Sequence, residues 1–222
     1  MSDSATARKP KQTARRRARP ARVRLSAAER RAQLIDVAIP LFGEHGFAGT
    51  TTKAIARAAG VSEAIIFRHF QSKEELYAAA FDRWRGKNTD QFVDILQGYA
   101  DRGDDLELLR TLYTVMLQGY EKDRALHRMV LYAGLERGTS GHDRITDKMQ
   151  HMPVYDFLER YILQRQEEGA FRPGDPYLIA TAVLGLPQSH ALWTKLSALP
   201  SAHSDHVVAD LYARMLLQGL RA

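Results

Sequence analysis

The sequence TTTKAIARAAGVSEAIIFRHFQSK, which occupies Thr50–Lys73, is the most informative stretch of this 222-residue chain. Its pattern is typical of a short helix, a tight turn at Gly60, and a second short helix that begins after Ser62. A basic and small-polar surface follows both helices. The pattern predicts a helix-turn-helix, in which the second helix lies in the major groove of duplex DNA and the first crosses the backbone.

Apolar spacing extends this unit in both directions. Ser26-Ala-Ala-Glu29 is a capping box and predicts the start of a first helix, which Gly46 closes near its end. We expect Pro40 to kink that helix locally, because proline removes a backbone donor and crowds the preceding turn. A second capping box, Ser72-Lys-Glu-Glu75, predicts a fourth helix that runs to about Ala100. The inward-facing residues are predicted to be Leu34, Val37, Ala38, Leu41, Phe42, Ile55, Ala56, Ala59, Val61, Ile65, Ile66 and Phe70.

The rest of the chain repeats the helical period and lacks the alternation of a half-buried strand. Further helices are predicted at 104–120, 122–137, 143–168, 176–196 and 204–220, with a loop at 137–142 and a kink at Pro187. Asp175-Pro176 is a typical helix start. The expected fold is all-α, with about nine helices in total. We expect a basic arm at 1–25, a three-helix DNA-binding domain at 26–72, and a larger helical bundle at 73–222 for ligand binding and dimerisation.

The positive charge is concentrated at the amino terminus. Residues 1–25 carry nine basic side chains against Asp3 alone, a net charge of +8, which leaves −2 for the remainder of a chain whose total is +6. Such a run of like charges is expected to be disordered in isolation. It is either a DNA-binding arm that gains affinity at phosphates, and that could enter a minor groove, or a solvated and dispensable tail. The neighbouring helix-turn-helix favours the arm.

Composition excludes several classes of function. The chain has no cysteine, which rules out disulfides, cysteine-ligated zinc and thiol catalysis. Its longest apolar run, 178–186, is too short for a membrane span, and no signal peptide is recognisable, so we expect a cytoplasmic protein. No familiar catalytic motif occurs, and neither His203 with His206 nor His142 with His151 has further ligands at metal-binding spacing. No enzymatic activity, metal or cofactor is expected.

Three segments resemble the TetR family of bacterial transcriptional regulators. LFGEHGF, at 41–47, is similar to the end of the family's first helix, and TTTKAIARAAGVS, at 50–62, to its second helix and turn. IIFRHFQSKEEL, at 65–76, resembles the recognition helix and the start of the fourth helix. The resemblance covers about residues 31–81. The carboxy-terminal half is similar only in length and helical pattern, as expected for the ligand-binding part of that family.

The resemblance implies which residues contact DNA. Phosphate or base contacts are implied for the second helix, major-groove contacts for the third, and phosphate contacts for the residues that follow. Arg68 is thus expected to alter sequence preference, whereas Lys73 is expected to strengthen binding to every sequence alike. The full implied set is Thr51, Thr52, Lys53, Ser62, Glu63, Ala64, Phe67, Arg68, His69 and Lys73.

Three positions depart from the family's usual pattern. Phe67 stands where tyrosine is common, so a hydroxyl contact to phosphate is lost, although the ring can still pack on a sugar or a thymine methyl. Ala64 stands where glycine or proline is frequent. Glu63 either accepts a hydrogen bond from cytosine N4 or complements the amino terminus of its own helix, and the second alternative is favoured.

The last two helices are predicted to form a homodimer interface, as the resemblance implies, because this motif reads two half-sites about 34–36 Å apart. The alternative is that their apolar stripes pack only within one subunit. One stripe contains Ile179, Ala182, Val183, Leu186 and His190, and the other Val208, Leu211, Tyr212, Met215 and Leu216.

The middle helices carry many methionine and tyrosine side chains, which suit a pocket for an apolar molecule with a few polar groups. Ordinary core packing is the alternative for each of them. The candidates are Tyr113, Met116, Tyr120, Met129, Tyr132, Met149, Met152, Tyr155 and Tyr161.

These features predict a sequence-specific transcriptional regulator that binds double-stranded DNA at a palindromic operator. A small molecule of unknown identity is expected to release it, so that it acts as a repressor. The alternative is an architectural or cell-division DNA-binding protein on the same fold without an effector. Sequence leaves open the operator, the effector, and whether the effector releases or promotes DNA binding.

Overall fold

The computed structural model describes residues 25–85, 89–135, 152–197, 199 and 201–222. These residues form ten α-helices and no extended sheet, apart from one isolated bridge between Phe171 and Arg221, which confirms the all-α prediction. The helices are α1 (Ala27–Gly49), α2 (Thr52–Ala59), α3 (Glu63–His69), α4 (Lys73–Arg85), α5 (Thr89–Ala100), α6 (Asp105–Lys122), α7 (Arg124–Leu135), α8 (Pro153–Glu167), α9 (Pro176–Ala191) and α10 (Asp205–Leu220).

Several boundaries differ from the predicted ones. The single helix expected from Ser72 to Ala100 is described as α4 and α5, and residues 86–88 lie outside the described part. The predicted start of a helix at 143 also lies outside it, so only the segment from Pro153 is described. The helix expected over 176–196 is α-helical only as far as Ala191, and a π-helical turn follows from Leu192 to Leu196. Pro187 is buried within α9, and no non-helical backbone angle is found there.

Helix α1 begins with the predicted capping box, because Ser26 accepts from the Glu29 amide and Glu29 accepts from the Ser26 amide. Gly46, which is predicted to close this helix near its end, has a φ of +69°, a conformation that glycine adopts without strain. No non-helical backbone angle is found at Pro40, where a local kink is predicted. The buried Thr50 hydroxyl donates to the carbonyls of Gly46 (2.8 Å) and Leu41 (3.0 Å). Thr50 therefore satisfies carbonyl groups near the irregular end of α1.

The first hydrophobic core joins α1–α4 with one face of α7. Tyr77 of α4 lies edge-on to Phe42, with ring centroids 4.7 Å apart, and its hydroxyl donates to the Met129 carbonyl of α7 at 3.1 Å. Leu126, Met129 and Ala133 of α7 are buried in the same cluster. The core shared by α1–α3 thus extends beyond residues 26–72, and a helix distant in sequence completes it.

Gly43 permits the close contact between α1 and α7. A Cβ atom at this position would lie 2.3 Å from the carbonyl oxygen of Ala125, a distance that no side chain tolerates without movement of the backbone. The absence of a side chain lets α7 lie directly against α1. The position of α1 relative to α7 is therefore set by this close backbone contact.

A second core is formed by α5, α6, α8, α9 and α10, and a buried ion pair lies at its edge. Asp105 at the start of α6 is only 7% exposed. Its carboxylate accepts from Arg165 of α8 at Nε (2.9 Å) and Nη2 (3.0 Å), and from the Tyr161 hydroxyl. Arg165 also bonds Glu168. These contacts connect α6 to α8 at one end of the bundle.

Within the described ranges, no helix is both long enough and apolar enough to cross a bilayer.

Candidate DNA-binding site

The turn between α2 and α3 sets the orientation of the two helices. Gly60 ends α2 with φ +66° in the left-handed region, and its amide donates to the Arg57 carbonyl at 3.2 Å. The next amide, that of Val61, donates to the Ala56 carbonyl at 3.0 Å. Ile55, Ala56, Ala59, Ile66 and Phe70 are buried as predicted, and they anchor both helices on α1 and α4.

The outward face of α3 carries side chains suited to a DNA groove. Ala64, Phe67 and Arg68 are all exposed, and their spacing of three and four residues places them on one side of the helix. Phe67 is 50% exposed, which is unusual for a large apolar ring. At the start of α2, Thr51 and Lys53 are exposed as well, as is Ser62 in the turn. A cation, an aromatic ring and a small residue therefore share one accessible surface.

Thr51 and Thr52, at the start of α2, both form hydrogen bonds within the protein. Thr51 caps α2, since its hydroxyl oxygen accepts from the Ala54 amide at 3.1 Å. Thr52 donates its hydroxyl hydrogen to the Glu63 carboxylate at the first residue of α3. Ser62 makes no side-chain capping bond. The two helix starts are thus linked by a side-chain hydrogen bond.

Lys73 lies against α1 in this structure. Its ammonium donates to the carbonyls of Phe47 (2.8 Å) and Thr50 (3.0 Å), and it sits 4.0 Å from the centre of the Phe47 ring. These contacts satisfy carbonyl groups at the end of α1, where helical bonding stops. The ammonium group that is predicted to contact phosphate therefore already has partners within the protein.

Replacing Lys73 by methionine is therefore expected to lower the free energy of unfolding by about 1–2 kcal/mol, since hydrogen bonds to a charged donor are lost while the stem can still pack on Phe47. Urea denaturation measures this effect, and K53M at an exposed lysine is the matched control. A K73M protein as stable as wild type, with equally weakened binding to every DNA sequence, would instead support direct contact of Lys73 with phosphate.

His69 is half-buried, and its Nε2 is enclosed without a hydrogen-bond partner among the described residues. Burial lowers the pKa of this imidazole, and the charges of Arg68, Arg30 and Arg31 lower it further. At neutral pH the ring is uncharged, so a phosphate contact by His69 would lack a full positive charge. A groove of about 460 Å³ lies beside it, lined by Leu25, Ser26, Ala27, Arg30, Val61, Ile65, Arg68 and His69.

The candidate pocket residues separate into different parts of the fold. Tyr113, Met116 and Tyr155 belong to or pack against the second core, whereas Met129 is buried in the first core beside Tyr77. Met129 is thus removed from any pocket around Tyr113, because helix α7 turns that side chain toward α1 and α4. Tyr120 packs on a small cluster formed by Leu117, Ala191 and Val208. Tyr132 and Met152 are half-buried, Tyr161 is buried, and Met149 lies outside the described residues.

Two tyrosine hydroxyls in this region are strongly desolvated. The hydroxyl of Tyr113 is buried and makes no hydrogen bond with the described residues. Burial raises its pKa above the ordinary value, and burial also raises the pKa of Tyr120 to about 12. Both groups are neutral at physiological pH. An unsatisfied buried hydroxyl is costly, and among the described residues the Tyr113 hydroxyl is one of three buried side-chain atoms without a hydrogen-bond partner.

The predicted dimer stripes combine inward and outward positions. Val183 (1% exposed) and Val208 (5%) are buried within the chain, so their side chains are unavailable to a partner, which corrects the expectation for both. Ile179, Leu186, His190 and Tyr212 are half-buried. His190 and Tyr212 bond each other, Nδ1 to hydroxyl, at 3.2 Å. Leu211 and Met215 are exposed, as expected for an interface.

Further large apolar side chains outside the predicted stripes are exposed on the same helices. Val207 is exposed one turn before Leu211, and Met215 follows one turn later, so the three form a single apolar row on α10. On α9 and the π-helical turn, Tyr177, Leu178 and Trp193 are exposed. The four-residue spacing of Val207, Leu211 and Met215 could have identified this row from sequence. The stripe through Val208 has the same helical period, however, so spacing alone does not show which of the two faces outward.

Comparisons with known proteins agree with this geometry. Residues 34–80 match the sequence profile described as bacterial regulatory proteins of the tetR family. The chain is 28% identical over 149 residues to the HTH-type transcriptional repressor KstR2 of Mycobacterium tuberculosis, covering 65% of this chain and 70% of that one. It is 32% identical over 108 residues to the HTH-type transcriptional activator FasR of Mycolicibacterium smegmatis, covering 48% of each chain.

The fold is also similar to that of solved structures. AibR, whose crystal structure contains isovaleryl coenzyme A and operator DNA, superposes with a TM-score of 0.67 at 23% identity, over 85% of this chain and 98% of that one. The similarity therefore covers the helical bundle as well as the amino-terminal domain.

Proposed function

The chain belongs to the TetR family of bacterial regulatory proteins, and on that basis we propose that it is a transcriptional repressor that binds operator DNA as a homodimer and is released by a small molecule. One observation carries the DNA-binding part. The α2–Gly60–α3 unit presents Phe67 and Arg68 outward on a helix anchored by Ile66, within the segment that matches the family profile. This is the arrangement by which a recognition helix enters a major groove.

The exposed apolar row of α10, together with Leu178 and Trp193, supports the homodimer. These large apolar side chains are exposed in the single chain, and extended exposed apolar surface typically marks a protein interface. A twofold pairing of α9 and α10 with their partner copies would form a four-helix bundle. Such a dimer presents two copies of α3, as a palindromic operator requires.

Internal packing supports a response to a ligand. Tyr113 places an unsatisfied hydroxyl in the second core, and α7 connects the end of α6 to the first core through Met129 and the contact at Gly43. A ligand that binds the non-DNA conformation more tightly weakens DNA binding by the same coupling free energy, typically about 1–3 kcal/mol. The relatives include a repressor and an activator, and repression is proposed because the match to KstR2 covers more of both chains.

The proposed repressor has only to bind operator DNA and a small molecule, so we assign no residue to catalysis. The proposed DNA partner also implies a cytoplasmic location.

The proposal is tested by selecting bound sequences from random duplex DNA and then measuring two variants. Arg68→Ala is expected to weaken the best site about 5–150-fold and to relax preference at one position of each half-site, because a good base contact contributes about 1–3 kcal/mol. Lys53→Ala is expected to weaken all sequences about equally and to reduce the salt dependence by about one phosphate contact.

Arg160→Ala, at an exposed arginine of α8, is the matched control and should change neither quantity. Failure of the wild-type chain to enrich any sequence, or identical losses for R68A and K53A on every sequence, would contradict the assignment.

A further inference from the structure

The hydrogen bond between Thr52 and Glu63 gives the carboxylate a fixed position on the DNA-facing surface. Thr52 is the first residue of α2 and Glu63 the first residue of α3, and both side chains are half-buried. Thr52 Oγ1 donates to Oε1 of Glu63, and Glu63 makes no other hydrogen bond or ion pair with the described residues. The second oxygen, Oε2, therefore keeps its full capacity to accept.

This contact argues against the role first favoured for Glu63. Complementing the amino terminus of α3 by charge alone requires no partner on another element, but here the carboxylate accepts from a hydroxyl on the preceding helix. The bond also restricts a flexible side chain before DNA arrives, which reduces the entropy lost on binding. Phe67 lies one turn along α3 from Glu63, so both side chains lie toward the same part of the surface.

A carboxylate in the major groove discriminates between bases by charge and hydrogen bonding. It has only acceptors, whereas cytosine presents the N4 amino group, guanine presents the acceptors O6 and N7, and thymine presents O4. Adenine offers an N6 donor next to an N7 acceptor, which repels a second carboxylate oxygen. Facing the wrong base, Oε2 of Glu63 would also remain without a donor among the phosphates, and this penalty adds to specificity.

We propose that Glu63, held by Thr52, is a specificity-determining residue that selects cytosine at one position of each half-site through the N4 amino group. The inference rests on the proposed function, since it assumes that α3 enters the major groove. The role of Thr52 is to position this carboxylate. Its hydroxyl donates its hydrogen bond to Glu63 and therefore does not donate it to a phosphate.

The test compares operator preferences of the wild-type chain with those of E63A, E63Q and T52V. Each protein is used to select from random duplexes, and its dissociation constants are then measured on the wild-type site and on the three base changes at each position. For the wild type, cytosine at one position is expected to bind about five- to tenfold more tightly than the other bases, as one base hydrogen bond allows. In E63A this preference disappears, while the preferences at the other positions persist.

The E63Q variant gives the most specific result. Glutamine can still accept from Thr52, but its amide adds a donor, and asparagine and glutamine side chains pair with adenine N6 and N7. The preferred base is therefore expected to change from cytosine to adenine, which a purely structural role for Glu63 would not produce. T52V should retain cytosine with reduced discrimination, because the carboxylate is no longer held. E159A, at an exposed glutamate of α8, is the matched control.

The outcomes separate this inference from the function on which it rests. A wild-type chain that enriches no sequence overturns the proposed function itself. A clear operator whose base preferences are unchanged in E63A and E63Q leaves that function standing and overturns the role of Glu63. Full discrimination in T52V overturns the positioning role of Thr52.

Discussion

Leu211→Glu is expected to convert the protein from a dimer to a monomer and to lower operator affinity about 10²–10⁴-fold. Leu211 is 58% exposed in the single chain, at the centre of the row formed with Val207 and Met215. A charge at this position would be buried against its own symmetry copy in the dimer, where it has no partner. Without the dimer, each half-site must be bound independently, and the advantage of two linked contacts is lost.

Sedimentation velocity at micromolar concentration measures the oligomeric state, and titration of a labelled operator measures the affinity. Leu163→Glu, at an exposed leucine of α8, introduces the same charge outside the proposed interface and should affect neither quantity. Because Leu211 is exposed, circular dichroism of L211E should be that of the wild-type chain. An L211E protein that remains dimeric and retains operator affinity would show that subunits associate through another surface.

Asp105→Ala is expected to lower the free energy of unfolding by about 3–5 kcal/mol, which is the usual cost of removing one member of a buried ion pair. The Asp105 carboxylate accepts two hydrogen bonds from Arg165 and one from Tyr161. Its removal leaves a largely buried guanidinium and a buried hydroxyl without their main acceptor. The lost hydrogen bonds join α6 to α8, so the helices of the second core are expected to be destabilised before those of the first core.

Urea denaturation of D105A and of D94A, at an exposed aspartate of α5, measures the difference. The double variant D105A/R165M should recover part of the lost stability, since the unpaired charge is removed together with its partner. A loss below about 1 kcal/mol for D105A, or no recovery in the double variant, would show that the pair contributes little to the fold.

Local sequence was sufficient for the features that depend on neighbouring residues. The capping box at Ser26, the turn at Gly60, and the burial of Ile55, Ile66 and Phe70 all follow from short-range spacing, and the structure confirms each of them. The helical period was equally clear in the carboxy-terminal half. These features depend on hydrogen bonds and side-chain faces within about two helical turns.

Features that depend on contacts between helices could not be predicted in the same way. Spacing along the chain does not predict that the ammonium of Lys73 bonds the carbonyls of Phe47 and Thr50 at the end of α1. Val183 and Val208 are predicted to lie at the dimer interface, but both are buried within the protomer. For Lys73, Val183 and Val208 a second element provides the contact, and the period of a single helix does not reveal which element covers which face.

The sequence by itself determined an all-α chain with a helix-turn-helix at 50–73, because caps, turns and apolar periods are local properties. Only the tertiary structure decided that α7 completes the first core, that Gly43 lets it approach α1, and that Thr52 at the start of α2 bonds Glu63 at the start of α3. These contacts join residues separated by 11 positions in the Thr52–Glu63 pair and by 52 in the Tyr77–Met129 pair. Periodicity places a residue on a face, but the partner of that face depends on how the whole chain packs.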